Sequence, residues 1–123
     1  MQKKLIDIQS KEDLLKSFID GEKKHSDFKI GTEHEKFAFH LETHKPVSFS
    51  EKNGIEALLL KLKKYGWNSI LEGSNTIGLS RDKSLGGGTI TLEPAGQLEL
   101  SGAPLQNIHE TFYELDEHRT QIA

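Results

Sequence analysis

The stretch TITLEPAGQLELSG, residues 89–102, decides the fold. It holds two strand-like pieces on either side of Pro94, Ala95 and Gly96, where proline and glycine break a ladder. Working upstream, TIGLSR at 76–81 and WNSILEG at 67–73 read as two more short strands, and residues 82–88 as a turn. Downstream, Pro104 suits the first residue of a helix, because the amide it lacks would be unpaired there. Leu105, Ile108, Phe112 and Leu115 then mark the expected buried stripe of that helix. A helix over 52–65 is predicted from Ile55, Leu58, Leu59 and Leu62, stopped by Gly66. Another is predicted over 11–24, with Ser10 and Asp13 as a capping box and Leu14, Leu15, Phe18 and Ile19 as its apolar face. The order of helix, strands, helix, strands, helix argues for an α+β fold, an antiparallel sheet with flanking helices.

Residues 28–41 carry a period of two, with a further short strand expected at 47–49 after a turn. Glu33, Glu35, Phe37, Phe39 and Leu41 fall on one side, and Thr32, His34, Lys36, Ala38 and His40 on the other. The first set is expected to face the core, so two carboxylates share an apolar face, which is costly unless a cation or donor compensates them. Glu93, Gln97 and Glu99 repeat the pattern at alternate positions. A hard dication such as magnesium, which takes oxygen ligands, resolves the repulsion. On spacing alone, solvated strand edges remain the other reading.

Composition narrows the function classes. The 123 residues fit one domain, with 34% apolar and 28% charged residues. Sixteen Lys and Arg against nineteen Asp and Glu leave a formal charge of −3, no field for nucleic acid or an anionic membrane. There is no cysteine, which removes disulfides, thiolate metal sites and thiol catalysis from this segment. No apolar run is long enough for a secretory signal or a membrane span, so a soluble, cytoplasmic protein is expected.

IGTEHEKFAF (30–39) is similar to the G-x-E-x-E-K-F strand of glutamate–cysteine ligases of the plant and proteobacterial type, and LEPAGQLELSGAPLQNIHET (92–111) closely resembles that family's L-E-P-G-G-Q-x-E-L-S-G-A-P-L segment. The resemblance runs from about residue 8 to the end, with Ala95 standing where the family usually has glycine. It implies a partial glutamine-synthetase-like catalytic fold, with residues 1–123 the N-terminal part of an incomplete catalytic domain. It also implies an enzyme of glutathione biosynthesis that uses ATP and Mg2+ to join the γ-carboxylate of L-glutamate to L-cysteine through an acyl phosphate. By motif position, Glu33, Glu35, Glu93 and Glu99 are the implied metal ligands and Gln97 an implied substrate contact. The resemblance assigns no catalytic residue here and puts the ATP and cysteine contacts downstream, so the isolated chain is expected to be inactive. An incomplete sheet is expected to self-associate through its open edge. The competing class is a non-catalytic binding or interaction domain that keeps the strand motifs as relics.

Other signals are weaker. A zinc helix reading of His34, Glu35 and His40 fails, because the required second histidine position is Ala38. The glycines at 86–88 lack the following Lys-Ser/Thr of a phosphate loop and read as a hairpin turn. His109 and His118 are expected at surface or capping positions, and Trp67 in the core or at a sheet edge.

Overall fold

The structure is a computed structural model that describes residues 7–123; residues 1–6, part of the stretch read above for a signal, lie outside it. Its centre is a five-stranded antiparallel sheet in the order β1-β5-β4-β3-β2. The strands are β1 (Glu33–Lys36), β2 (Asn68–Glu72), β3 (Asn75–Ser80), β4 (Thr89–Glu93) and β5 (Gln97–Ser101). The helices are α1 (Lys11–Ile19), α2 (Ile55–Leu62) and α3 (Ile108–Ile122). The α+β class expected from the element order is the one found. No helix among the described residues is long and apolar enough to cross a membrane.

The core lies on one face of the sheet. Ile55, Leu59 and Leu62 of α2 pack on Leu79, Ile90, Leu98 and Leu100, with Trp67 closing one side. Each of these aliphatic side chains contributes about 1.5–3 kcal/mol by leaving water. Gly66, at φ +87, ends the turn after α2, where a left-handed residue releases the chain into β2. Trp67 Nε1 donates to Gln121 Oε1 at 2.8 Å, tying β2 to α3.

Several boundaries differ from the sequence expectations. Ser10 caps α1 by accepting from the Asp13 amide at 3.1 Å, and Asp13 reaches back to the Gln9 amide. The helix nonetheless stops at Ile19, and none of its residues is buried. Leu14, Leu15, Phe18 and Ile19 all stay exposed. The long strand expected over 28–41 contracts to β1, and the strand expected at 47–49 is absent. In their place residues 38–47 fold back as a separate hairpin, with Phe39 bridged to Pro46 and His44 left-handed at φ +53.

The last helix begins later than predicted. Asn107 is its N-cap, its side chain accepting from the amides of His109 and Glu110. Pro104 instead precedes an extended segment in which Leu105 exchanges two backbone hydrogen bonds with Ile30. The stripe forecast for this helix is not the buried one, since Ile108 and Phe112 are exposed. The side chain α3 buries is His118, 2% exposed, against the expectation of a surface histidine.

Candidate metal and substrate site on the open face of the sheet

Antiparallel register places the predicted site residues. Glu33 pairs with Ser101, Glu35 with Glu99, Thr91 with Glu99, and Glu93 with Gln97. Directly paired residues point to the same side, so Glu33, Glu35, Glu93, Gln97 and Glu99 share one face. The Pro94–Gly96 break does not shift this parity, because Glu93 and Gln97 close the hairpin opposite each other. A wholly polar row crosses the sheet beside them: Glu33, Ser101, Thr89, Ser80 and Asn68, each paired with the next.

The face is not the one expected. The acidic residues, expected to face inward beside Phe37, Phe39 and Leu41, occupy the side away from α2 and the core. The paired positions His34, Leu100, Ile90 and Leu79 form the opposite, helix-facing row. Phe37 and Phe39 follow β1 as an exposed tilted pair, ring centroids 6.4 Å apart. The alternation at 33–41 was therefore legible, but its sign was reversed: the half-buried set is the one holding His34, Lys36 and Ala38.

Glu99 is the exception on the open face, only 7% exposed, and Ser101 Oγ donates to its Oε1 at 2.5 Å. Gln97 Nε2 donates to Glu35. Glu33, Glu35 and Glu93 are exposed. A shared hydrogen bond with Glu99, then the Glu99 charge, hold the Glu93 carboxyl above the usual carboxylate range, and Glu35 and Glu33 push the same way. Glu93 thus feels the other three carboxylates. Among the described residues, no three His, Asp or Glu side chains stand close enough to hold a metal ion as oriented. The arrangement is a field of oxygen donors on a common face, two of them held by neutral donors on β5, rather than a preformed cage.

Its donor chemistry fits a hard dication. All four candidate ligands offer carboxylate oxygen, and like charges directly across a strand pair destabilise it unless compensated. Glu33, Glu35, Glu93 and Glu99 are the residues that would hold such an ion, with Gln97 able to orient Glu35.

Sequence reasoning missed a second group, on the core side of β1. Lys36 Nζ and both ring nitrogens of His118 are inaccessible and have no hydrogen-bond partner among the described residues. Burial first, then the charges of Lys36 and His34, pushes His118 down to about 4. The period of two placed Lys36 on that side, but nothing in the local pattern of α3 announced a buried histidine.

The family model of glutamate-cysteine ligase family 2 (GCS2) matches residues 29–123. The chain is 40% identical over 113 residues to the chloroplastic glutamate–cysteine ligase B of Oryza sativa subsp. japonica, covering 92% of this chain and 22% of the relative. It is 39% identical over 117 residues to the chloroplastic enzyme of Nicotiana tabacum and 38% identical over 117 residues to that of Arabidopsis thaliana. Each of those two alignments covers 92% of this chain and 20% of the relative. The chain therefore spans about a fifth of the length of the curated relatives it matches. These relatives are chloroplastic, which overturns the expectation of a cytoplasmic location.

Proposed function

Because this chain belongs to glutamate-cysteine ligase family 2, we propose that it forms part of an enzyme that joins the γ-carboxylate of L-glutamate to the amine of L-cysteine at the expense of ATP. The observation that supports this most is the coincidence of two facts. The family match spans both glutamate motifs, and the five motif residues Glu33, Glu35, Glu93, Gln97 and Glu99 share one solvent-facing side of adjacent strands.

In this reading Glu33, Glu35, Glu93 and Glu99 hold Mg2+, and Gln97 orients Glu35 or contacts substrate. A bound magnesium ion supplies positive charge to phosphate oxygens during phosphoryl transfer to the γ-carboxylate. The chain's own contribution is positional. The sheet fixes the carboxylates on rigid elements, and Ser101 holds the Glu99 carboxylate by its hydroxyl. Arg81 donates through both terminal guanidinium nitrogens to Glu117, so it is not free to grip a nucleotide. With about a fifth of the relatives' length present, the isolated chain lacks turnover in this account.

A second reading, a non-catalytic domain that retains the strands, draws on the absence of a preformed cage among the described residues. Calorimetric titration with Mg2+ separates the two. The ligase reading predicts saturable binding that is lost in both Glu35→Gln and Glu99→Gln. Binding of equal strength in the parent and both variants would refute it. A coupled assay with ATP, L-glutamate and L-cysteine is expected to show no turnover by the 123-residue chain; robust turnover defeats the claim that the isolated chain is inactive.

A further inference from the structure

The polar row that starts at Glu33 runs through Ser101 and Thr89, and both of these residues line a cleft of about 610 Å³ beyond β4 and β5. Its other walls include Lys29, Lys83, Arg81 and the glycines at 86–88, with Ala103, Pro104 and Leu105 adding apolar surface. These glycines have φ values of +106, +78 and +85, a run that no L side chain adopts without strain. A Cβ on Gly88 would stand 3.1 Å from the Ser101 carbonyl oxygen, tighter than ordinary contact, whereas one on Gly87 would meet Ala103 at 3.7 Å without crowding it. The loop therefore lays bare backbone against the end of β5 at Gly88, and the part of the cleft floor that it forms carries no side chains.

The charges around this cleft are not balanced within the chain. Arg81 is neutralised by Glu117 at 2.8 Å and 3.2 Å and stacked over Trp67. Lys29 and Lys83 are exposed and make no ion pair or side-chain hydrogen bond among the described residues. No acidic side chain lines the cleft. Two uncommitted ammonium groups thus border a bare backbone floor, and one shared wall, Ser101 and Thr89, connects them to the carboxylate field. The polarity reverses across that wall, anionic on one side and cationic on the other.

We propose that this cleft binds an oxyanion group, held by Lys29 and Lys83 above the glycine loop, next to the carboxylates of the open face. A substrate with a phosphate chain or a free carboxylate carries such a group. The proposal rests on the ligase reading for which substrate brings the anion, but not for the binding itself.

The test uses the 123-residue chain in magnesium-free buffer, so that its outcome is independent of cation binding by the carboxylates. Inorganic triphosphate and L-glutamate are titrated separately, with amide chemical shifts and calorimetry as readouts. The same titrations are run on Lys29→Met/Lys83→Met and on a control with equal charge loss, Lys45→Met/Lys52→Met. Loss of each charged contact weakens binding about tenfold, as expected for a charge-assisted hydrogen bond. Weakening confined to the Lys29/Lys83 variant, with shifts centred on the amides of 86–89, supports the site. The probe that shows it, triphosphate or L-glutamate, identifies the source of the anion. Equal binding by both double variants, shifts centred elsewhere, or no binding of either probe overturns the proposal. If the Lys29/Lys83 variant does not fold, the location of the shifts in the parent chain and the response of Lys83→Gln decide alone.

Discussion

Glu35 on β1 stands directly across from Glu99 on β5, the first exposed and the second 7% exposed. Three positions back along the same ladder, Thr32 and Gly102 are joined by a backbone hydrogen bond, so alternation along an antiparallel ladder makes Glu35 and Glu99 a narrow, non-bonded pair. Two carboxylates at that closeness oppose folding in the metal-free chain. Glu35→Gln is therefore expected to stabilise the metal-free chain by about 0.5–1 kcal/mol while removing any stabilisation by Mg2+. Urea denaturation with and without Mg2+ measures both. A variant that is less stable without metal and still responds to Mg2+ contradicts the pairing.

His118 makes stability depend on pH. Its pKa falls from 6.5 in the unfolded chain to about 4 in the fold, so the unfolded state binds more protons between those values. Stability is fully present above pH 6.5 and is lost as pH falls toward 4, by about 2 kcal/mol at pH 5. The groups that act on it are Lys36 and His34 from β1, Arg81 beyond β3 and Glu117 on its own helix; only Glu117 favours the charged form. Denaturation midpoints of the parent and His118→Leu, compared at pH 7.5, 6 and 5, are expected to diverge in favour of the variant as pH falls. Parallel curves would show that His118 is not buried in its neutral form.

Ala95 sits in the left-handed region at φ +65, within the break between β4 and β5. An L residue with a Cβ costs about 1–2 kcal/mol there. Ala95→Gly, partly offset by the greater freedom of glycine in the unfolded chain, is expected to gain about 1 kcal/mol. Thermal denaturation checks it, and destabilisation would mean that the turn has another geometry.

Arg81 ties the sheet to α3. Its side chain is 6% exposed, pairs with the half-exposed Glu117 and lies 4.5 Å from the centre of the Trp67 ring. Glu117→Ala leaves that guanidinium without its partner and is expected to cost about 2 kcal/mol, below the value for a fully buried pair because Glu117 meets solvent. Asp116→Ala, one position away and exposed, is expected to change stability by less than about 0.5 kcal/mol. Trp67 fluorescence in urea reports both variants, and equal effects would remove Arg81–Glu117 from the account.

The parts legible in the sequence were those fixed by local rules. The hairpin around Pro94 and Gly96, the Gly66 stop and the Ser10 cap all follow from backbone chemistry and appear where expected. The shared face of Glu33, Glu35, Glu93, Gln97 and Glu99 follows from the period of two. What local rules do not contain is which side of a strand the helices cover. Phe37 and Phe39 argued for the wrong side because they leave the sheet after Lys36 and stay exposed. The apolar residues of α1 and the N-terminal half of α3 misled in the same way: an amphipathic pattern states that a face can be buried, not that this chain supplies the cover. Leu15 and Phe112 remain exposed for that reason.

The open-face carboxylates as a dication site can be tested most directly with Mn2+, a paramagnetic stand-in for Mg2+, titrated into the chain while amide relaxation is recorded. The account predicts broadening that starts at Glu33, Glu35, Glu93 and Glu99, fades across β3, and disappears in Glu99→Gln. Broadening centred on α1, α3 or the hairpin at 38–47, or a pattern unchanged in that variant, would contradict it.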